Sequence, residues 1–150
     1  MTISKVMIID DNPMYKELLL KGFNKFNIEA VAIDDTMDFI EIATQLDPDF
    51  ILLDIMMPNK NGFEICKQLK TNSSTVHIPI IFVSSNDDAE SVINSFHVGS
   101  IDYIKKPVKV EDLIKVLISH NFQSPIKETF CYMRETLRNL KEKYNVNSKA

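Results

Sequence analysis

Four apolar segments of this 150-residue chain end in side chains that could do chemistry. The first leads into Asp10 and Asp11, the next into Asp54, and the last two reach Ser84 and Lys106. If these segments are parallel neighbours in one sheet, their carboxyl ends meet at the edge where open α/β folds bind ligands. Acids, a hydroxyl and an ammonium would then converge. This combination predicts a metal-dependent site for a phosphate group.

The chemistry of such a site follows from its charges. Magnesium prefers oxygen ligands and commonly takes one or two carboxylates together with phosphate oxygens, which Asp10, Asp11 and Asp54 could accommodate. A cation among them would relieve their mutual repulsion and help an Asp54 oxygen attack phosphorus in line. Lys106 offers a compact positive charge to a phosphate or a carboxylate, and Ser84 offers a hydroxyl donor.

A simpler interpretation exists for every one of these residues. An aspartate at a strand end is commonly the N-cap of the following helix, and we assign Asp34 and Asp35, after the second strand, to that capping class. Ser84 alone would be a turn residue, and Lys106 alone a solvated side chain. Only their joint placement at strand ends favours a functional site.

Composition limits the class of protein. Apolar residues make up 45% of the chain, which is ample for a core, and a net charge of −4 argues against a nucleic-acid surface. The apolar segments are strand-sized, far shorter than a bilayer span, and no signal segment is recognised, so we expect a cytoplasmic protein. Cys66 and Cys131 lack neighbouring metal ligands and are interpreted as reduced thiols. The scattered histidines form no catalytic triad.

Short β-branched segments alternate with longer amphipathic ones, which predicts a doubly wound α/β fold with a five-stranded parallel sheet. The predicted strands lie near 5–10, 28–33, 50–54, 78–84 and 101–104, and the predicted helices near 13–26, 36–46, 62–69, 88–98 and 110–119.

The segment 123–150 does not follow this alternation. Ser124 and Pro125 suit an N-cap and a first helical turn. The apolar positions that follow alternate in spacing between four and three, the pattern of a coiled-coil seam: Ile126, Phe130, Met133, Leu137, Leu140 and Tyr144. We therefore expect an additional C-terminal helix. It could pair two chains as a homodimer, fold back on its own domain, or link to an output domain outside this sequence.

Four short motifs occur in order along the chain, and between them they contain the acids, hydroxyl and lysine described above. They are Ile8-Ile9-Asp10-Asp11-Asn12, then Leu53-Asp54-Ile55-Met56-Met57-Pro58 with Asn61-Gly62, then Val83-Ser84-Ser85, and finally Gly99 with Asp102-Tyr103-Ile104-Lys105-Lys106-Pro107. Together they resemble the receiver domains of two-component response regulators, over about residues 4–121. The last segment lies outside the resemblance.

The resemblance implies a flavodoxin-like (βα)5 fold and a Mg²⁺ site. Asp11 and Asp54 would bind the ion directly, Asp10 largely through water, and Met56 through its main-chain carbonyl. Asp54 would be phosphorylated, with Lys106 and Ser84 on the phosphoryl oxygens. It also implies structural roles for Pro58, Gly62 and Pro107, with a cis Lys106–Pro107 bond, and a coupled switch of Ser84 and Tyr103.

The implied function is that of a phosphoacceptor rather than a turnover enzyme. A sensor histidine kinase or a histidine phosphotransfer protein would donate the phosphoryl group to a receiver spanning 1–122, with 123–150 as an extension, and no nucleic acid or membrane would be a partner. Two alternatives stay open. One is an aspartate-dependent phosphohydrolase. The sequences that resemble such enzymes have a second acid two residues after the nucleophile, where this chain has Met56. The other is a phosphorylation-independent scaffold or dimerisation module.

Overall fold

The fold is a single parallel sheet with helices on both faces, as the sequence predicted. We analysed a computed structural model, which describes residues 3–86 and 88–122. Within this part of the chain the strand order is β2-β1-β3-β4-β5, with every neighbouring pair parallel. The elements are β1 Lys5–Ile9, α1 Pro13–Lys25, β2 Glu29–Ile33, α2 Phe39–Leu46, β3 Phe50–Leu53, α3 Gly62–Thr71, β4 Ile80–Ser84, α4 Ala89–His97, β5 Asp102–Lys105 and α5 Val110–Phe122.

Strand alternation divides the core into two layers. Val6 and Ile8 of β1 face the layer that contains Leu19 and Phe23 of α1, together with apolar residues of α5. The alternate residues of β1 face the layer beneath α2 and α3, where Phe39 packs. Each fully buried side chain of this kind contributes roughly 2 kcal/mol relative to exposure. The two layers hold the sheet rigidly between helices, and so fix where each strand ends.

The strand order reverses at β1, because β2 lies on one side of it and β3 on the other. In open α/β sheets such a reversal leaves a crevice at the carboxyl ends of the strands. Ile9 pairs with Leu53 at the last position of the β1–β3 ladder. The acids that follow these two strands therefore begin at the same level, beside the crevice.

Several element boundaries differ from the sequence prediction. The second helix begins at Phe39 rather than Thr36, because Asp34 forms a turn with Thr36 and Asp38 is the N-cap, accepting a hydrogen bond from Glu41 N. The assignment of Asp34 and Asp35 to helix capping was therefore wrong. The last helix continues to Phe122.

The predicted C-terminal helix lies outside the described residues. Within the described residues, none of the helices combines the length and the apolar character needed to cross a bilayer.

Candidate functional site

Asp10 and Asp54 lie side by side at the ends of two central strands. Their main chains continue the sheet, since Asp10 N donates to Ile33 O at 3.1 Å and Asp54 N donates to Ile9 O at 3.0 Å. Both side chains are buried, with exposed fractions of 2% and 8%. Two apolar strands thus carry two carboxylates into a largely desolvated position, which is costly unless cations or hydrogen bonds compensate.

Asp11 completes an acidic group with these two residues. One carboxylate oxygen from each of Asp10, Asp11 and Asp54 lies within 4.8 Å of the others, and Asp11 is the more exposed of the three. A divalent ion with two or three carboxylate ligands and several waters needs this arrangement of hard oxygen donors. The donor set therefore fits Mg²⁺, which would be reached by solvent from the Asp11 side.

Lys106 places a positive charge against the acidic group. Its Nζ lies 2.6 Å from Asp10 Oδ2 and 3.6 Å from Asp54 Oδ2, and its side chain is only 16% exposed. The main chain is held by a hydrogen bond from Lys106 N to Ser84 O at 2.8 Å, which continues the β4–β5 pairing. The Lys106–Pro107 peptide bond is cis, the form that the resemblance implied. One ammonium thus contacts two of the three carboxylates.

The balance of charges acts on Asp54. Burial raises its pKa, Lys106 lowers it, and the nearby Asp10 carboxylate raises it again. Hydrogen bonds from Ile55 N, at 2.9 Å, and from Ser84 lower it in part, but the net pKa is above the ordinary value. The Asp54 carboxylate is therefore under-compensated, and a divalent cation would supply the missing positive charge.

Ser84 and Tyr103 are connected through the loop after β4. Ser84 is fully buried, and its Oγ accepts a hydrogen bond from Asn86 N at 3.3 Å. The Tyr103 hydroxyl donates to the carbonyl oxygen of the same residue, Asn86, while its ring lies 6.4 Å from the Phe82 ring. Ser84 and Tyr103 therefore both contact the main chain of Asn86.

The loop after β3 carries the remaining predicted residues. A Cβ on Gly62 would lie 2.1 Å from Asp54 O, so only glycine allows the start of α3 to approach the end of β3 this closely. Gly62 N donates to Ile55 O at 2.8 Å, which closes the loop. Pro58 is exposed within it, and Met56 is 65% exposed.

Two residues near the site were not predicted from the sequence to belong to it. Tyr15, in the first turn of α1, places its ring 4.3 Å from Lys106 Nζ. Burial raises its pKa to about 12, and the charges of Asp10 and Asp54 add to the effect. Its place one helical turn after the acidic pair was a signal that could have been used. Asp35 is buried and contacts the loop after β3.

The fold and the acids at its switch point define the class: a doubly wound domain with a carboxylate-lined edge. The chain belongs to the response regulator receiver domain family, whose family model matches residues 6–118. It is thus a receiver domain of two-component signal transduction systems. The resemblance predicted from the four motifs is confirmed.

Individual relatives agree with this membership. Protein PilH of Pseudomonas aeruginosa is 31% identical over 115 residues, covering 77% of this chain and 95% of PilH. The nisin biosynthesis regulatory protein NisR of Lactococcus lactis subsp. lactis is 37% identical over 112 residues, covering 75% of this chain and 48% of NisR. The chain thus spans about half the length of NisR and nearly all of PilH.

A solved structure gives the same fold. The BeF3-activated N-terminal receiver domain of Klebsiella pneumoniae RstA superposes with a TM-score of 0.71 at 28% identity, covering 78% of this chain and 97% of that one. The predicted flavodoxin-like (βα)5 architecture is confirmed for the described residues.

Proposed function

We propose that this receiver accepts a phosphoryl group on Asp54 in a Mg²⁺-dependent reaction, from a sensor histidine kinase or a histidine phosphotransfer protein. The observation that carries the proposal is the grouping of Asp10, Asp11 and Asp54 within 4.8 Å, with Lys106 Nζ 3.6 Å from Asp54. Acids this close, and only partly neutralised, are arranged for a cation and a phosphate rather than for stability.

In the proposed step, an Asp54 oxygen forms a bond to phosphorus. The bond between phosphorus and the imidazole nitrogen of the donor histidine breaks, and its electron pair stays on that nitrogen. Asp10, Asp11, Asp54 and the Met56 carbonyl would hold Mg²⁺, which supplies positive charge to the phosphoryl oxygens when bound. Lys106 would exchange part of its contact with Asp10 for a phosphoryl oxygen, and Ser84 would donate its hydroxyl to another.

The signal would pass from Ser84 to Tyr103. A phosphoryl group that attracts the Ser84 hydroxyl would weaken its contact with Asn86 N, the residue whose carbonyl accepts from Tyr103. A nearly complete switch needs about 5.5 kcal/mol of differential stabilisation, and two or three charge-assisted hydrogen bonds provide part or most of that. The surface of α4, β5 and α5 would change for a downstream protein.

The output would then run through protein association. We infer a receiver unit over 1–122, with 123–150 as an extension that pairs chains, folds back or continues into a further domain. We expect no turnover of an external substrate, because Met56 stands two residues after Asp54 and offers no acid or base for rapid hydrolysis.

Intact mass after incubation with acetyl phosphate and Mg²⁺ tests the function. Wild type should gain one phosphoryl group, and Asp54→Ala or wild type with a chelator should gain none. Acquisition of phosphate by Asp54→Ala would contradict the assignment of the acceptor. Steady release of phosphate from a small phosphoester would favour a phosphohydrolase, and a wild type that stays unmodified would favour a scaffold.

A second measurement tests the switch. Beryllofluoride with Mg²⁺ should move the amide resonances of residues 84–109, in addition to those of the acidic group. If the resonances of 84–109 stayed in place while the acidic group responded, the coupling of Ser84 to Tyr103 would have to be abandoned. The phosphoacceptor role would survive that result.

A further inference from the structure

Asp35 is a buried carboxylate whose contacts lie on the loop that follows the phosphoacceptor strand. Only 3% of the residue's surface is exposed. Oδ2 accepts hydrogen bonds from Asn59 N at 2.6 Å and from Lys60 N at 3.0 Å, and Oδ1 accepts from Asn59 Nδ2 at 3.4 Å. Backbone donors and a buried ionised acceptor make strong, directional bonds. Asp35 thus fastens a segment 24 residues away in sequence.

The position of this contact relates it to the acidic group. Since the strand order is β2-β1-β3, the loop after β3 can reach Asp35, after β2, only by passing the end of β1. Asp10 and Asp11 follow β1 there. The bonds of Asp35 therefore bridge the edge on which the proposed Mg²⁺ ligands stand.

The same loop is held at further points. Gly62 N donates to Ile55 O at 2.8 Å and closes its base, while Asp35 holds its tip at 59–60. The Lys60 ammonium also lies 4.9 Å from the centroid of the Phe39 ring on α2. Met56 lies between the base and the tip. The main chain at Met56 is therefore bounded by an attachment on each side.

The electrostatics indicate that Asp35 stays ionised and so remains a hydrogen-bond acceptor. Burial alone would raise the pKa of Asp35, but the hydrogen bonds from Asn59 and Lys60 outweigh it, and the pKa is lowered from its ordinary value. Asp35 is therefore ionised at neutral pH. An ionised carboxylate can accept both backbone N–H groups at once, which a protonated carboxyl does less well.

We propose that Asp35 is a positioning residue for the metal site: by fixing the loop 55–61 it sets the Met56 carbonyl in place for Mg²⁺. This inference rests on the proposed function, because it concerns the metal that the proposed reaction uses. If the loop is already ordered, binding of Mg²⁺ loses no conformational entropy in ordering it. The affinity for the ion therefore depends on Asp35. Residues that orient metal ligands typically change affinity by about tenfold or more when replaced.

The chain offers a matched control in the adjacent residue. Asp34 Oδ1 accepts hydrogen bonds from the main chain, at 2.9 Å, and the hydroxyl of Thr36, both in its own turn. Asp34→Asn and Asp35→Asn remove the same charge one residue apart. A long-range electrostatic effect on the cation would appear in both variants. A positioning effect would appear only in Asp35→Asn.

Mg²⁺ titration of the full chain, followed by amide resonances, gives the affinity. We expect the dissociation constant to rise about tenfold in Asp35→Asn and to change less than about twofold in Asp34→Asn. Hydrogen exchange in Mg²⁺-free buffer gives a second readout, in which the Asn59 and Lys60 amides should exchange faster in Asp35→Asn alone. If Asp35→Asn does not fold, Asp35→Glu carries the test, since it keeps the charge but displaces the oxygens.

The outcomes separate this inference from the function beneath it. Equal Mg²⁺ affinity in wild type and Asp35→Asn, even with a lowered Tm, would show a purely structural residue and overturn the inference. An equal loss of affinity in Asp34→Asn would overturn it as well, in favour of net charge. If wild type itself bound no Mg²⁺, the proposed function would fail first.

Discussion

The two edges of the sheet differ in how far their acidic side chains are compensated by hydrogen-bond donors and positive charges. At the amino-terminal edge two acids have their own partners: Asp49 Oδ2 accepts from Ser4 N and Lys5 N at 2.7 and 3.0 Å, and Asp47 pairs with His77 at 2.7 Å. At the carboxyl edge Asp10 and Asp54 share the ammonium of Lys106, and the pKa of Asp54 is raised, chiefly by burial.

This difference separates stability from function within one fold. Asp49 and Asp47 at the amino-terminal edge already have hydrogen-bond or ion-pair partners in the protein, so they need no ligand. Asp10 and Asp54 at the carboxyl edge also accept main-chain hydrogen bonds, but with Asp11 they are left short of positive charge, which a cation would supply. Such a site costs stability in the unliganded protein and gains it on binding. Substitutions should therefore have opposite consequences at the two edges.

The largest effect is expected for loss of the shared cation. Lys106→Met keeps an apolar stem over Tyr15 but leaves the acidic group without its ammonium, so metal-free stability should fall by about 3 kcal/mol, as for a broken buried pair. His77→Ala at the other edge breaks an exposed pair and should change stability by less than about 0.5 kcal/mol. Urea denaturation in chelator measures both.

Equal losses in the two variants would remove the contrast between the edges. Added Mg²⁺ should also recover part of the stability that Lys106→Met loses, because the ion would compensate the same carboxylates. A variant that Mg²⁺ leaves unchanged would place the role of Lys106 in packing rather than in charge.

A smaller effect, but one of opposite sign at the two edges, is expected for isosteric neutralisation. Asp54→Asn should raise metal-free stability at neutral pH by roughly 1 kcal/mol, because it removes an under-compensated charge. Asp49→Asn weakens two charge-assisted hydrogen bonds and should lower stability by about 1 kcal/mol. Thermal unfolding at pH 7 in chelator compares them, and a gain for both or a loss for both would contradict the contrast.

The pH dependence of this gain has a definite sign. Because burial raises the pKa of Asp54 above its ordinary value of 3.8, the folded protein binds its proton more tightly than the unfolded chain does. The destabilisation by Asp54 is then fully present above the raised pKa and disappears below 3.8. The advantage of Asp54→Asn over wild type should therefore shrink as pH falls from 7 toward that value, and a constant difference would oppose the assignment.

The sequence predicted those features that depend on local pattern. Alternating apolar segments specified five strands, and the strand-end positions of Asp10, Asp54 and Lys106 were sufficient to place them at one edge. In the structure Ile9 and Leu53 pair at the same level, which brings the acids after β1 and β3 together. The strand prediction needs only the periodicity of neighbouring residues and the general right-handedness of strand–helix–strand crossovers.

The residues that were missed depend on contacts between distant segments. Asp34 and Asp35 are the same residue type in adjacent positions, yet one bonds its own turn and the other holds a loop 24 residues away. Nothing in local pattern distinguishes them, because the difference arises from which side chain points beneath the loop. Tyr15 lies within the helix predicted over 13–26 and was not singled out, although its ring lies against Lys106.

The smallest effect concerns two buried hydroxyls, one at each edge. Tyr15 Oη is buried without a hydrogen-bond partner among the described residues, whereas the Thr75 hydroxyl, before β4, donates to Leu69 O at 2.7 Å. Tyr15→Phe keeps the ring beside Lys106 and removes an unsatisfied group, so metal-free stability should rise by a few tenths of a kcal/mol. Thr75→Val removes a satisfied donor and should cost about 1 kcal/mol.

Mg²⁺ and beryllofluoride sharpen this last comparison. If the Tyr15 hydroxyl is kept free for a water or phosphoryl oxygen at the acidic group, the advantage of Tyr15→Phe should vanish or reverse when both are present, because wild type then gains a hydrogen bond that phenylalanine cannot make. Thr75→Val should cost the same with and without them, since Leu69 O lies at the other edge. Denaturation of wild type and both variants, with and without the two additions, measures these differences. An advantage of Tyr15→Phe that persists unchanged would mean that its hydroxyl has no part in the site, and that the contrast between the edges is carried by the charged residues alone.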